Sequence, residues 1–308
     1  MSEAPQEGIA VVLIAGAQSS ISESLTARIS QALTDAGFSG QAWRSLKDRH
    51  AYDAIIRDQV WSPATASEIT GRCRDVIGEI PIDVGVVDIV DRRKKVLIAD
   101  MDSTIIEQEC LDELAGYAGL KDEIASVTEQ AMRGELNFED ALRARVAKLK
   151  GLPAEKLSDT LEDKVSIMPG AKTLVATMRA HGATTVLASG GFTYFTKRVA
   201  DRVGFDQNIG NQLDIEDERL TGTVKEPIFG RDGKAETLRR VCRDLGVSTN
   251  EAIAVGDGAN DLGMIDVAGL GVAYRAKPAV AQAAGVSIQY SDLTALLYLQ
   301  GYTESDLE

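Results

Sequence analysis

At 308 residues, 44% hydrophobic and 26% charged, the chain is long enough for more than one domain and has an ordinary globular composition. A formal net charge of −14 and a pI near 4.7 argue against a nucleic-acid or anionic-membrane binder, and leave any affinity for anions to local groups. The start, MSEAPQEG, lacks the basic region of a signal peptide, and the longest apolar run, 9–17, is too short to span a bilayer, so a cytoplasmic protein is expected. Cys73, Cys110 and Cys242 are widely spaced without a CxxC pair and read as reduced, packed thiols. With only His50 and His181 present, Ser-His-Asp and Cys-His hydrolases and His-rich zinc sites are disfavoured.

Residues 1–91 read as a separate α+β unit. Ile9 to Ile14 is a strand, and Ser20 is placed to cap a helix carrying Leu25, Ile29 and Leu33 at helical spacing, stopped near Gly37. Residues 42–60 suggest extended segments, with helix an option from Asp53 to Asp58. A second helix over 64–80 and a strand over 82–90 complete a ferredoxin-like order. The unit resembles a degenerate ACT-type domain. No motif names a ligand for it, so packing or a possible homodimer contact is preferred to amino-acid sensing. Asp91 to Lys95 reads as a polar hinge.

The run Lys94 to Ala99 reads as a buried parallel strand and ends on Asp100-Met101-Asp102-Ser103-Thr104. Ligands of open α/β sheets bind beyond the carboxyl ends of the strands, so Asp-x-Asp there sets two acids at the mouth of a site. An Asp serving as a helix cap is the plainer explanation of the same residues.

From Ile106 to Ser166 strand signals nearly vanish, and a helical insert is expected as a cap over the sheet edge. Asn137 reads as an N-cap. Phe138, Leu142, Arg145 and Leu149 then fall on one helix face, which places Arg145 in an inward stripe. Snorkelling explains a lone Arg there, and so does an anion beneath the cap.

Alternation of strand and helix resumes after Met168-Pro169-Gly170. The strand Thr184 to Ala188 ends on Ser189-Gly190-Gly191-Phe192, a turn whose amides suit an anion at a helix start. Asn211 to Lys225 reads as a hairpin outside the sheet. Lys234 opens a helix, where a cation gains nothing from the dipole and a specific anion would account for it. Ala252 to Val255 runs into Gly256-Asp257-Gly258-Ala259-Asn260-Asp261, and strands near 270–274 and 287–290 bring the parallel set to about five.

DMDST, SGGF, Lys234 and GDGAND, in that order, are similar to the four motifs of the haloacid dehalogenase-like phosphatases. The run DMDSTIIEQECLDELA followed by AMRGELNFEDALRARV resembles, over most of 96–290, the phosphoserine phosphatase branch. The resemblance implies a Rossmann-like doubly wound parallel sheet with an inserted α-helical cap, over 92–308 with the insert near 106–167. It implies Asp100 as nucleophile and Asp102 as general acid and base. Mg²⁺ would be held by Asp100, Asp257 and the Asp102 carbonyl, with Asp261 one shell out. Ser189, Gly190 and Lys234 would hold phosphoryl oxygens. For the substrate, O-phospho-L-serine, Glu109 would meet the ammonium and Arg145 the carboxylate, with Met132 and Phe138 as apolar covers and Asn260 on phosphate or serine. Another small phosphorylated alcohol, or a regulatory amino-acid-binding protein with a vestigial catalytic half, are the alternatives.

Overall fold

The computed structural model describes residues 7–57 and 59–308. The acidic first residues, and Asp58 at the end of the optional helix, lie outside these. The amino-terminal unit runs β1 (Gly8–Ala15), α1 (Glu23–Asp35), β2 (Trp43–Lys47), β3 (Ala51–Arg57), α2 (Pro63–Ile77) and β4 (Ile82–Asp88). Its strands form an antiparallel sheet in the order β2-β3-β1-β4, the ferredoxin-like arrangement expected. The cap of α1 is Ser22, not Ser20: its hydroxyl accepts from the Leu25 amide at 3.2 Å. The helical option near Asp53 fails because that stretch pairs with both β1 and β2.

All eight residues of β1 are buried, for a reason visible in its alternation. Ile9, Val11 and Leu13 face α1 and α2, whereas Ala10, Val12 and Ile14 join the core of the second half. In the segment read as a polar hinge Asp91, Arg93 and Lys95 are exposed, but Arg92 and Lys94 turn inward. Arg92 donates to Asp53 Oδ2 at 2.7 Å and to the Leu299 carbonyl at 2.8 Å, and Lys94 donates to the Asn250 carbonyl at 2.7 Å. The buried Asp83 carboxylate accepts the backbone amides of Gln289, Tyr290 and Ser291 at 2.8, 3.1 and 2.9 Å.

The second half is a six-stranded parallel sheet: β5 (Val96–Ala99), β6 (Thr184–Phe192), β7 (Gln207–Asn211), β10 (Ala252–Gly256), β11 (Leu270–Tyr274) and β12 (Val286–Ile288). In the order β12-β11-β10-β5-β6-β7, β5 is central, with the chain winding away on both sides. That is a topological switch point. The strand beyond the expected five is β7, a sheet edge whose Gln-Asn-Ile-Gly-Asn carries no apolar run. Helices α7 (Ala171–Ala180), α8 (Thr193–Val203), α9 (Arg231–Leu245), α10 (Leu262–Val267), α11 (Pro278–Ala283) and α12 (Ala295–Leu299) accompany the sheet.

Between β5 and β6 stand the cap helices α3 (Cys110–Gly116), α4 (Lys121–Met132), α5 (Phe138–Ala147) and α6 (Glu155–Asp163). Asn137 caps α5, accepting the Asp140 amide at 3.0 Å. The hairpin β8 (Leu213–Glu216) and β9 (Arg219–Val224) turns on Asp217 and Glu218, both left-handed (φ 47° and 58°). It leans on the cap, where Leu220 exchanges backbone bonds with Gly151 and Leu152 at 2.8 and 2.9 Å. No helix among the described residues is long and apolar enough to cross a membrane.

Candidate active site

Three adjacent strand ends deliver the acids and the serine. Asp100 and Asp102 follow β5, Asp257 follows β10, and Ser189 lies near the end of β6. The chain after β5 does not enter a helix at once. Ser103 takes a left-handed turn (φ 56°), and the next helix starts only at Cys110. Asp102 Oδ1 accepts the Cys110 amide at 2.8 Å, and its Oδ2 accepts the Ser189 hydroxyl at 3.1 Å. The aspartate therefore reaches across the turn to the first amide of α3 rather than capping a helix of its own. Ser189 is placed differently from expectation. β6 continues through a register shift to Phe192, so Ser189 and Gly190 occupy a bulged strand end rather than a helix start. The Ser189 hydroxyl accepts the Gly191 amide at 2.8 Å.

Lys234, in the first turn of α9, has no exposed surface. Its ammonium donates to Asp100 Oδ1 at 2.5 Å and to Asp261 Oδ1 at 2.6 Å. Burial alone would pull this ammonium down, but Asp100 and Asp261 outweigh it and hold Lys234 protonated above its usual range. Asp261 Oδ2 is occupied as well, accepting the amides of Asp257 and Gly258 at 3.1 and 3.0 Å. Asp257 Oδ1 accepts from Thr104 at 3.2 Å. Oxygens of Asp100, Asp257 and Asp261 lie within 4.8 Å of one another.

This cluster fits a hard divalent cation. Among the described residues Asp100 Oδ2 and Asp257 Oδ2 receive no hydrogen bond, whereas both oxygens of Asp261 are engaged. Burial, then Asp261, pushes the Asp100 carboxyl up to about 7, and the same causes push Asp257 well above the carboxylate range. Acids so crowded with one lysine between them are short of positive charge, and oxygen-only donors are what Mg²⁺ takes. Asp102 is raised too. The cause is burial, and the bonds from Cys110 and Ser189 work against it.

One cavity of about 50 Å³ joins this floor to the cap. Asp100, Asp102, Ser189, Gly190 and Asn260 line it from the core, and Glu109, Met132, Phe138 and Arg145 from the insert. Lys234, Asp257 and Asp261 lie behind that lining. Glu109 accepts from the Ser103 hydroxyl at 2.6 Å, and lost solvation, then Asp102 and Asp257, raises its carboxyl well above the usual range. Arg145, 6% exposed, donates to the Ala141 carbonyl at 3.1 Å and to the Thr128 hydroxyl at 2.7 Å. Asn260 Oδ1 is buried without a hydrogen-bond partner among the described residues.

The Phe138 ring rests on the turn at Gly190. A Cβ at Gly190 would sit 2.5 Å from its Cζ, and one at Gly230 would sit 3.1 Å from its Cδ1. Sequence reasoning missed Asn211, whose side chain donates to the carbonyls of Gly190 and Phe229 at 2.8 and 2.9 Å and accepts the Phe229 amide at 2.7 Å. It also missed Asp112 and Thr128 beneath Arg145. The signal for Thr128 was its helical spacing with Ile124 and Ala131 on one buried stripe.

The family profile described as haloacid dehalogenase-like hydrolase matches residues 97–266. The chain is 42% identical to a phosphoserine phosphatase of Haemophilus influenzae, over 72% of this chain and 71% of that one. It is 44% identical to a phosphoserine phosphatase of Streptomyces coelicolor over 70% of its own length, and spans about half, 53%, of that longer relative. A solved HAD family hydrolase from Salmonella enterica serovar Typhi superposes with a TM-score of 0.80 at 29% identity, covering 95% of this chain and 98% of that one.

Proposed function

Because the chain belongs to the haloacid dehalogenase-like hydrolases, we propose that it hydrolyses O-phospho-L-serine to L-serine and phosphate. The observation that carries this reading is the pairing, in one cavity, of the Asp100–Asp102 floor with Glu109 and Arg145 in its walls. A zwitterionic head group needs an anion for its ammonium and a planar cation for its carboxylate. Glu109 makes no ion pair among the described residues, and Arg145 keeps donors in reserve. The phosphoserine phosphatases among the relatives point to the same substrate.

In this mechanism the Asp100 carboxylate attacks phosphorus and the bond to the serine oxygen breaks, leaving an aspartyl phosphate. Asp102, whose carboxyl burial raises above its usual range, gives a proton to the departing oxygen. It then takes a proton from the water that attacks the same phosphorus, which frees phosphate and restores Asp100. Lys234 offsets charge on Asp100 and the phosphoryl oxygens, with Ser189 and the Gly190 amide as further donors. Asp100, Asp257 and the Asp102 carbonyl would hold Mg²⁺, which supplies charge neutralisation to the phosphoryl group when bound. Asp261 orients Lys234 and the 257–258 amides. Met132 and Phe138 cover the apolar side of the substrate, and the unpartnered Asn260 oxygen faces its polar side.

We assign residues 1–91 to the ACT-like unit and 92–308 to the phosphatase unit, with the cap insert near 106–167. The free, buried Cys73, Cys110 and Cys242 accord with a cytoplasmic setting. The test is a panel of phosphate esters assayed for released phosphate with and without Mg²⁺. Phosphoserine turnover that collapses in chelator is expected, with Arg145→Ala losing about 2–5 kcal/mol more on phosphoserine than on p-nitrophenyl phosphate, which has no carboxylate. Equal losses on the two esters would refute the substrate assignment.

A further inference from the structure

Three cap helices meet at one buried chain of side chains. Asp112 of α3 is 7% exposed, Thr128 of α4 4% and Arg145 of α5 6%. Thr128 Oγ1 lies 2.6 Å from Asp112 Oδ1 and 2.7 Å from Arg145 Nη1. A hydroxyl has one proton. Here Asp112 receives it, the Ile124 carbonyl being a longer contact at 3.1 Å, while the lone pairs accept from Arg145. Thr128 therefore stands between a guanidinium and its nearest buried counter-charge.

That interposition matters for what Arg145 has left. A guanidinium in direct contact with a carboxylate forms a two-bond fork and spends its recognising edge on it. With Thr128 between them, Nε goes to the Ala141 carbonyl and one Nη1 proton to the hydroxyl. One Nη1 proton and both Nη2 protons find no acceptor among the described residues, and Arg145 lines the cavity. Asp112 thus steadies the cation without consuming the face that a ligand would use.

We propose that Thr128 is a spacer, with Asp112 as its anchor, that fixes the carboxylate preference of the site by keeping Arg145 oriented and unpaired; this rests on the phosphoserine reading. Both are positioning residues acting through Arg145. A role in merely joining the three helices would weaken all substrates alike, or stability alone. The spacer role acts on substrates that carry a carboxylate.

The experiment is steady-state kinetics of the full chain with Mg²⁺, on O-phospho-L-serine and on p-nitrophenyl phosphate, for Thr128→Val, Thr128→Ser, Asp112→Asn and Arg145→Ala. Thr128→Val should raise KM for phosphoserine about tenfold more than KM for p-nitrophenyl phosphate, with kcat for phosphoserine within about threefold of the parent. Thr128→Ser restores the hydroxyl and should return KM to within about twofold. If Thr128→Val does not fold, Asp112→Asn carries the test with the same direction of split. Matched losses on both esters, or a serine variant no better than valine, would overturn the spacer. A discriminating Arg145→Ala beside an indifferent Thr128→Val overturns it while leaving the substrate reading intact. Absence of phosphoserine turnover in the parent removes both.

Discussion

Gly190→Ala is the sharpest single perturbation of the closed cap. The φ of Gly190 lies outside the left-handed region, so the backbone accepts alanine and only the new methyl matters. That methyl would lie 2.5 Å from Phe138 Cζ and 3.1 Å from Cε2. Carbon atoms in comfortable contact are about 3.5–4.0 Å apart, so ring and turn must separate by roughly 1 Å. Overpacking of this size costs about 1–3 kcal/mol, or roughly 5- to 150-fold in kcat/KM if the closed cap is the reactive one. The assay is a double-mutant cycle on phosphate release with Gly190→Ala, Phe138→Ala and the pair. In the Phe138→Ala background the methyl has nothing to strike, so most of its penalty should vanish. Penalties additive within about 0.5 kcal/mol would show that ring and turn do not meet during turnover.

Other consequences are as direct. Asp100→Asn should abolish turnover and the labelling of the protein by a phosphate-labelled substrate; residual activity above about a tenth of the parent would remove Asp100 as nucleophile. Asp83→Ala strips the acceptor from three amides of the catalytic half. Of the three only Ser291 is itself buried, so at about 1–3 kcal/mol for a buried unsatisfied group calorimetry should find Tm lowered by about 2 °C or more, and a fall under about 1 °C would contradict the tie. Asp53 gives a pH signature. Burial works to raise its carboxyl, but Arg44 and Arg92 outweigh this and hold it below the usual range. A depressed folded pKa means stability that is complete above the unfolded value of about 3.9 and is lost as pH falls through the folded value. The gap in Tm between parent and Asp53→Asn should therefore be widest near neutrality and narrow below pH of about 4; a gap that widens in acid would reverse the argument.

Much of the catalytic half was legible because its central strands are buried on both faces and announce themselves as apolar runs ending in acids. Arg145 was legible for a related reason, since a charge at a buried helical position is conspicuous. β7 was not, because an edge strand need not be apolar. The cap of α1 was misplaced by two residues, since Ser20 and Ser22 both precede the helix and only geometry distinguishes them. The hinge is polar as read, with Asp91, Arg93 and Lys95 exposed, but the inward turn of Arg92 and Lys94 was not legible, because their partners, Asp53, Leu299 and Asn250, lie far away in the sequence. Asn211 and Thr128 share that difficulty, since a polar side chain bonding across the fold leaves no local pattern.

The apolar interior is continuous from Ala10, Val12 and Ile14 through Leu296 to Leu299 and on to Leu97 and Ala99 of β5. Two halves that share an interior cannot be loosened independently. Whatever binds at Asp100 only when the catalytic half is intact must also make β1 slower to exchange its amide protons. By the same reciprocity, a molecule that tightened the amino-terminal sheet would be sensed at the aspartate, without touching it.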